Sequence, residues 1–194
     1  MNLIDQAQAF DFPATLPTTL IEVHQQFEGP QVPNISMAIS AALDQISTDI
    51  SAGHTVAIGV GSRGITNLAE IVKTAVSYLH DKGAKPFIIP AMGSHAGATA
   101  GGQRDLLRNL GVTPDKVGAE ILATMEVQQI GQIPNGPALY QDVLSAAADH
   151  TILINRIKPH TSFRGQLESG LAKMAVIGLG KQRGAAVMHS RGVA

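Results

Sequence analysis

The chain has 194 residues and 20.2 kDa, enough for one α/β domain with a sizeable core, and its 44% hydrophobic content excludes wholesale disorder. A net charge of −1 excludes a global basic field for nucleic acid or anionic lipid, and the absence of cysteine excludes disulfides, cysteine-ligated metals and thiol catalysis. Charged residues make up only 15% of the chain, which favours a surface partly covered by another domain or subunit. Because neither a signal sequence nor a membrane-length apolar run is found, we expect a soluble cytoplasmic protein without nucleic-acid or membrane partners.

The first part of the chain is predicted to be an arm. Residues 1–34 are interrupted by four prolines, and within them residues 20–27 are compatible with a short strand. The domain proper is predicted over residues 35–194. It opens on a helix at 35–50, where apolar residues recur at helical spacing.

The clearest unit of the sequence is a βαβ motif. An apolar strand at 55–59 is followed by an amphipathic helix at 65–79 and a second apolar strand at 86–90. Asn67 and Glu70 have the spacing of a capping box at the start of the helix. Two strands joined by a crossover helix are expected to be parallel neighbours in one sheet.

Helices and strands continue to alternate in the second half. The predicted elements are helices at 100–110 and from 113, strands at 120–123 and 125–130, a turn at 134–137, a helix at 142–148, a strand at 151–155 and a helix at 169–177. This alternation predicts an α/β fold with an open, mostly parallel sheet and helices on both faces.

Three loops at the carboxyl ends of predicted strands carry the polar chemistry. They have the sequences GVGSRG at 59–64, PAMGSHAGAT at 90–99 and NRIKPHTSFRG at 155–165. Open α/β sheets bind ligands at this edge, where the carboxyl ends of parallel strands meet. The three loops therefore define the predicted site.

The first loop matches the G-x-G-x-x-G pattern of dinucleotide-binding domains. Two features weaken that interpretation: Arg63 lies inside the turn, and no acidic residue ends the second strand to take the ribose hydroxyls. A tight turn that needs glycine for steric reasons explains the pattern equally well. If the turn does bind a ligand, Arg63 is placed to hold a substrate carboxylate.

Four further side chains are candidates for chemistry. His95 and His160 lie in the second and third loops and suit general acid–base catalysis, because histidine titrates near neutrality. Lys173 lies in an apolar stretch, where partial desolvation makes a lysine nucleophilic. His189 is a single metal-ligand candidate. The alternatives are histidines that cap helices or bond loop carbonyls, and a lysine whose stem packs on the core.

Residues 55–189 resemble the N-terminal domain of the nickel-pincer lactate racemase family. The resemblance is carried by GSRG at 61–64, PAMGSHAGAT at 90–99, NRIKPHTSFRG at 155–165 and ESGLAKMAVIGLGK at 168–181. It implies that the chain is the N-terminal α/β domain of a two-domain enzyme. The activity it implies is racemisation or epimerisation of 2-hydroxy acids by reversible hydride transfer.

The resemblance also implies a cofactor and a role for each candidate residue. The cofactor is the nickel-pincer nucleotide, a pyridinium-3,5-bisthiocarboxylic acid mononucleotide that holds Ni(II). Lys173 is its implied attachment point and His189 its implied nickel ligand. His95 and His160 match the two acid/base histidines, and Arg63 matches the arginine that holds the substrate anion.

Two departures from the family pattern indicate a divergent subgroup. Val60 stands where better-known members have an acidic residue, and the spacing from His160 to Lys173 is longer than in the lactate enzyme. We therefore expect a larger hydroxy acid or a sugar acid as substrate. The implied partners are cofactor-synthesis enzymes and a C-terminal domain that the chain is expected to lack, so the fragment alone is expected to be inactive. A nucleotide-binding (NAD-type) oxidoreductase domain and a non-catalytic α/β module remain the alternatives.

Overall fold

A computed structural model describes residues 19, 21–27, 29, 31–62, 64–160, 164–165 and 168–190. The chain divides into two units, Met1–Gln31 and Val32–Ala194. In the first unit, residues 21–27 are exposed and have no regular secondary structure. The strand predicted at 20–27 is therefore wrong for residues 21–27, and residue 20 lies outside the described residues. The reason is that a lone strand has neither a sheet to pair with nor a core to cover its apolar face.

The second unit is built on a three-stranded parallel sheet. Its strands are β1 (Thr55–Val60), β2 (Lys85–Pro90) and β5 (His150–Ile154), in the order β2-β1-β5. The central strand β1 is buried over nearly its whole length, as its uninterrupted apolar run predicts. The prediction that the first two strands are parallel neighbours is confirmed.

The remaining elements follow this chain order. The helices are α1 (Ile35–Ile46), α2 (Leu68–Asp81), α3 (Ala100–Asn109), α4 (Pro114–Val117), α5 (Val143–Ala147), α6 (Leu171–Lys173) and α7 (Lys181–His189). Two short irregular helical turns, Ala96–Ala98 and Met174–Gly178, precede α3 and α7, and strands β3 (Val127–Gln132) and β4 (Ala138–Asp142) form a separate antiparallel hairpin.

Helical segments cover both faces of the sheet. Alternate side chains of β1 enter two different apolar clusters, because successive residues of a strand point to opposite faces. Val56, Ile58 and Val60 pack with apolar residues of α2, while Ala57 packs with Ile89 and Leu179. Burial of each large aliphatic side chain contributes roughly 1.5–3 kcal/mol. The predicted α/β class, with helices flanking a parallel sheet, is confirmed in this form.

The predicted capping box at the start of α2 is wrong. Asn67 has φ 57° and ψ 30°, and its side chain makes no capping hydrogen bond. A capping side chain needs extended backbone at the N-cap, which left-handed Asn67 does not have. Thr99 shows the working geometry before α3: its backbone is extended, and its hydroxyl accepts a hydrogen bond from the Gly102 amide at 3.1 Å.

The β3–β4 hairpin leads directly into α5. The predicted turn contains Asn135 at φ 55°, and strand β4 after it was not predicted. Asp142 ends β4 and caps α5, since its Oδ1 accepts hydrogen bonds from the Leu144 and Ser145 amides at 2.8 and 3.1 Å. The helix predicted at 142–148 is thus confirmed, with Asp142 as its cap. Within the described ranges, no helix has the length and apolar content needed to cross a bilayer.

Candidate functional site

The register of the sheet brings the three predicted loops to one level. Val60 pairs with Pro90 on one side and with Ile154 on the other, so β1, β2 and β5 end together. Hydrogen bonds continue past the strand ends, from the Gly61 amide to the Ile154 carbonyl and from the Ala91 amide to the Val60 carbonyl, both at 2.9 Å. The loops therefore leave the sheet from a common edge, as the sequence predicts.

A cleft of about 610 Å³, its open mouth included, lies at this edge. Each of the three loops contributes residues to its wall, and the fourth side comes from the segment around α6 and the turn after it. The lining residues are Gly61, Ser62, Ile65, Ala91, Met92, His95, Asn155, Arg156, Lys158, Ser169, Gly170, Lys173, Met174, Ile177 and Gly178. Apolar and polar side chains are mixed there, which is typical of small-molecule sites.

His95 is half-buried in the cleft wall and is held by a residue of the neighbouring loop. Its Nδ1 lies 2.7 Å from the hydroxyl oxygen of Ser62. A hydroxyl can both donate and accept a hydrogen bond, so this contact is compatible with either tautomer of His95. When Nδ1–H donates to Ser62, Nε2 is the basic nitrogen of the ring. Ser62 belongs to the GSRG segment, although nothing in that pattern assigned it a role.

Lys173 reaches the same cleft from α6. Its side chain is exposed, and Ile177, four residues later, lines the cleft with it. The predicted helix over 169–177 is realised as the single turn α6 followed by the wider turn Met174–Gly178. Arg156 and Lys158 add two more cations, and the described lining contains no acidic residue. The wall is therefore suited to an anion.

Gly61 in the first loop and Gly93 in the second lie where a side chain would meet the segment that carries Lys173. A Cβ on Gly61 would lie 3.2 Å from the Met174 side chain, and one on Gly93, where φ is +60°, would lie 3.1 Å from Ile177. A Cβ on Gly178 would lie 3.0 Å from the carbonyl oxygen of Ala91. These contacts let the first two loops approach the segment that carries Lys173. The steric interpretation of the G-x-G pattern thus accounts for Gly61 without a bound nucleotide.

His160 lies in a loop that is organised by Glu168. One carboxylate oxygen of Glu168 accepts the His160 amide at 2.9 Å, and the other accepts the Gly165 amide at 3.1 Å. These two backbone hydrogen bonds, the first above all, lower the pKa of Glu168 below its ordinary value, and Arg164 adds a smaller effect. His160 is half-buried but is not among the residues that line the cleft.

The other predicted residues have different outcomes. Arg63 lies outside the described residues. His189 is exposed on the last turn of α7 and does not line the cleft. Within the described part of the chain, no group of three or more histidine, aspartate or glutamate side chains is arranged to hold a metal ion. The structure thus joins His95 with Lys173, and His160 and His189 are not part of that wall.

The fit of the implied cofactor differs between the two residues assigned to it. Lys173 has the exposed amine and the cleft position that a covalent attachment needs. The resemblance implies that the cofactor itself would supply most of the nickel ligands, so one imidazole from this cysteine-free chain would be enough to complete them. Coordination by His189 stays a prediction, because His189 does not line the cleft.

The buried lysine of this segment is Lys181. Its local sequence does not distinguish it from an exposed lysine. Its side chain is fully buried, and burial lowers its pKa, an effect that the nearby Asp142 carboxylate partly offsets. Because Lys181 does not line the cleft, it is not a candidate for contact with a ligand there.

Comparison with family models, with curated proteins and with solved structures finds no match to this chain.

Proposed function

We propose that this chain is the N-terminal, cofactor- and substrate-binding domain of a two-domain racemase or epimerase that acts on 2-hydroxy acids. The observation that supports the proposal best is the shared cleft of His95 and Lys173 at the carboxyl edge of the sheet. His95 supplies an imidazole that can accept and donate a proton, and Lys173 supplies a primary amine. The resemblance in sequence assigns those two functions to these two positions.

In the proposed reaction, His95 handles the substrate hydroxyl. With its Nδ1–H bonded to the Ser62 oxygen, His95 accepts the hydroxyl proton at Nε2 and later returns it. The nickel-pincer nucleotide would be held at Lys173 and would supply a reversible acceptor for the hydride on C2 of the substrate. His160 is the proposed second base, which serves the opposite face of the planar 2-oxo acid. Two bases on opposite sides are what a two-faced reaction requires.

The charge of the cleft agrees with an acidic substrate. Arg156, Lys158 and Lys173 line it, and the described lining has no carboxylate to oppose them. A bound hydroxy acid would place its carboxylate against Arg156 and Lys158, because Lys173 would be taken up by the cofactor, together with Arg63, the proposed arginine for that role. We propose a hydroxy acid larger than lactate or a sugar acid as substrate, and cytoplasmic cofactor-synthesis enzymes as partners.

The cofactor is tested by intact mass and nickel analysis of the chain expressed together with cofactor-synthesis enzymes. The expected result is a mass adduct that Lys173→Ala and Lys173→Arg both abolish, because attachment needs the primary amine. Lys158→Ala is the matched control, since it removes a second cation from the same cleft but keeps the attachment lysine. An adduct that persists without Lys173, or no adduct on folded protein, contradicts the proposal.

The reaction is tested with a substrate that carries deuterium at C2. Direct hydride transfer returns the label, so the inverted product of the two-domain enzyme keeps its deuterium in ordinary water. Loss of the label to solvent would instead indicate proton abstraction at C2. Saturable binding of NAD without a Lys173 adduct would favour the oxidoreductase alternative, and folded protein that takes up neither the adduct nor NAD would favour the non-catalytic one.

A further inference from the structure

A buried ion pair lies behind the wall that carries His95. Lys181 and Asp142 are both fully buried, and the Lys181 ammonium is 3.0 Å from Asp142 Oδ2. Among the described residues, that oxygen makes no hydrogen bond of normal geometry, so the ammonium is what neutralises it. Lys181 also has φ 53°, a backbone conformation that residues other than glycine seldom adopt.

Burial of this pair is not explained by stability alone. Taking two charges out of water costs free energy, and replacing a buried pair by apolar groups of similar size is often neutral or stabilising. A left-handed backbone at the same residue adds strain. A strained and fully buried cation therefore indicates that its position serves another purpose.

The network from Lys181 leads to the backbone of the His95 loop. The ammonium donates a hydrogen bond to the carbonyl of Pro90, the last residue of β2, and lies 3.5 Å from Oε1 of the buried Gln103. The amide nitrogen of Gln103 in turn donates to the carbonyls of Gly93 at 2.8 Å and His95 at 3.3 Å. Three carbonyls between residues 90 and 95 are thus held by two side chains.

The donors and acceptors of this network match one another. The ammonium donates to the Pro90 carbonyl, lies at hydrogen-bond distance from Gln103 Oε1 and forms an ion pair with Asp142 Oδ2. Because Oε1 of Gln103 faces the ammonium, its amide nitrogen can only face the loop carbonyls. Loss of Lys181 would remove the group that fixes this orientation.

We infer that Lys181 and Gln103 are positioning residues for His95, acting through the loop carbonyls to set the contact between His95 and Ser62. Neither side chain lines the cleft, so each acts through the backbone and not on a ligand. The role of His95 as an acid–base group rests on the proposed function. The geometric claim does not depend on it.

The test is nitrogen-15 NMR of the His95 imidazole in three variants of the chain. Lys181→Met combined with Asp142→Asn removes the charges together and leaves no unpaired buried ion, and the amide oxygen of the new asparagine still caps α5. Gln103→Met removes only the amide. Lys116→Met is the control, because Lys116 is an exposed lysine on α4.

We expect the Nδ1 and Nε2 resonances of His95 to shift toward a mixture of tautomers in the first two variants and to match the wild type in the control. Unchanged His95 resonances in a folded Lys181→Met/Asp142→Asn chain would overturn the inference. If that chain does not fold, Gln103→Met decides by the same criterion. Because this readout needs neither cofactor nor turnover, its outcome is separate from that of the Lys173 adduct.

Discussion

At the scale of single residues, the contact between Ser62 and His95 is the most informative feature of the cleft. The two residues come from loops after different strands, and their atoms meet at 2.7 Å. A serine hydroxyl can reverse its hydrogen bond as the imidazole gains or loses a proton, so it supports both forms of His95. Ser62 thus has the properties of an orienting group for an acid–base histidine.

Replacement of Ser62 by alanine is therefore expected to remove the hydrogen bond that orients His95 while leaving the rest of the cleft lining unchanged. One such hydrogen bond contributes about 1–1.5 kcal/mol, and a loss of about 1.4 kcal/mol in transition-state binding lowers turnover roughly tenfold. Under the proposed function, the measurement is turnover of the cofactor-loaded two-domain enzyme, together with the His95 imidazole spectrum of the chain itself. Ser94→Ala is the control, since Ser94 adjoins His95 but is exposed outside the cleft lining. Equal rates for both variants would refute the orienting role.

Two adjacent glycines at the start of α3 give a test of close packing. A Cβ on Gly101 meets nothing within 4 Å, so Gly101→Ala is expected to stabilise the fold by about 0.5–1 kcal/mol. A Cβ on Gly102 would lie 2.3 Å from the Ala96 carbonyl oxygen and 2.8 Å from the Thr99 hydroxyl, so Gly102→Ala is expected to cost roughly 1–3 kcal/mol. Urea denaturation of the two variants measures the difference, and equal midpoints would contradict it.

The two lysines of the last segment show what sequence reasoning can and cannot find. Lys173 stands out in the sequence because its neighbours are apolar, and it does reach the cleft, but its side chain is exposed. Lys181, in an equally small-residue context, is the one that is buried. Its burial depends on Pro90, 91 residues earlier, and on Asp142 at the end of an unpredicted strand. Such partners are not visible in a local window of sequence.

At the scale of elements, the loop after β5 is held in shape by one carboxylate. Glu168 accepts the amides of His160 and Gly165, and Arg164 lies 3.7 Å from it. Arg164 also donates to the His160 carbonyl at 2.7 Å. Hydrogen bonds of Glu168 and Arg164 thus connect His160 to the later part of the same loop.

This arrangement predicts a pH-dependent loop. Because the pKa of Glu168 is lowered in the folded state, its contribution is complete above the ordinary value of 4.5 and is lost as the pH falls through the lower, folded value. Hydrogen exchange of the His160 and Gly165 amides, followed by proteolysis of the loop, measures this. Glu168→Gln is expected to leave the loop open at every pH. Glu70→Gln, an exposed change on α2, should behave like wild type; a loop that opens equally in both variants would contradict the assignment.

The βαβ unit could be predicted from sequence because each of its elements is specified locally. Apolar runs mark β1 and β2, and a left-handed Gly83 follows α2 where a terminating glycine is expected. The same reasoning failed for the capping box at Asn67, where the backbone conformation of the loop overrides the side-chain pattern. It also missed β4, because an edge strand of a hairpin has no strong apolar run.

At the scale of the whole unit, the buried pair ties together parts of the chain that are far apart in sequence. Asp142 ends β4, Lys181 begins α7, and their network reaches the end of β2 and the middle of α3. The Asp142 amide also donates to the Leu179 carbonyl at 2.8 Å. The buried pair therefore connects the hairpin and α7 to the end of β2.

A double-mutant cycle on this pair is expected to be strongly non-additive. Lys181→Met or Asp142→Asn alone leaves the other group buried without its counter-ion, at a cost of about 3–5 kcal/mol. The double variant removes both charges and should be more stable than either single variant by at least about 2 kcal/mol. Chemical denaturation gives the three values, and simple addition of the two single effects would count against a coupled pair.

The same pair predicts an alkaline rise in stability. Burial lowers the pKa of Lys181 in the folded state below the ordinary value of 10.5, so between the two values the unfolded chain binds more protons. The free energy of unfolding then increases as the pH rises toward 10.5. The difference between wild type and Lys181→Met/Asp142→Asn, measured across this interval, isolates the effect. A difference that does not change with pH would exclude it.

Strands β1, β2 and β5 end at the same level of the sheet, which bears on how the loops of this domain can be changed by engineering. Since each loop starts from its own strand at the same height, its length can change without moving the take-off points of the other two. The loop after β5 is closed on itself by Glu168, whereas the His95 loop is fastened from behind by Lys181 and Gln103. The two loops are thus fastened independently of each other, and under the proposed function a grafted 155–168 segment would exchange Arg156, Lys158 and the proposed second base His160 while leaving the contact between His95 and Ser62 in place.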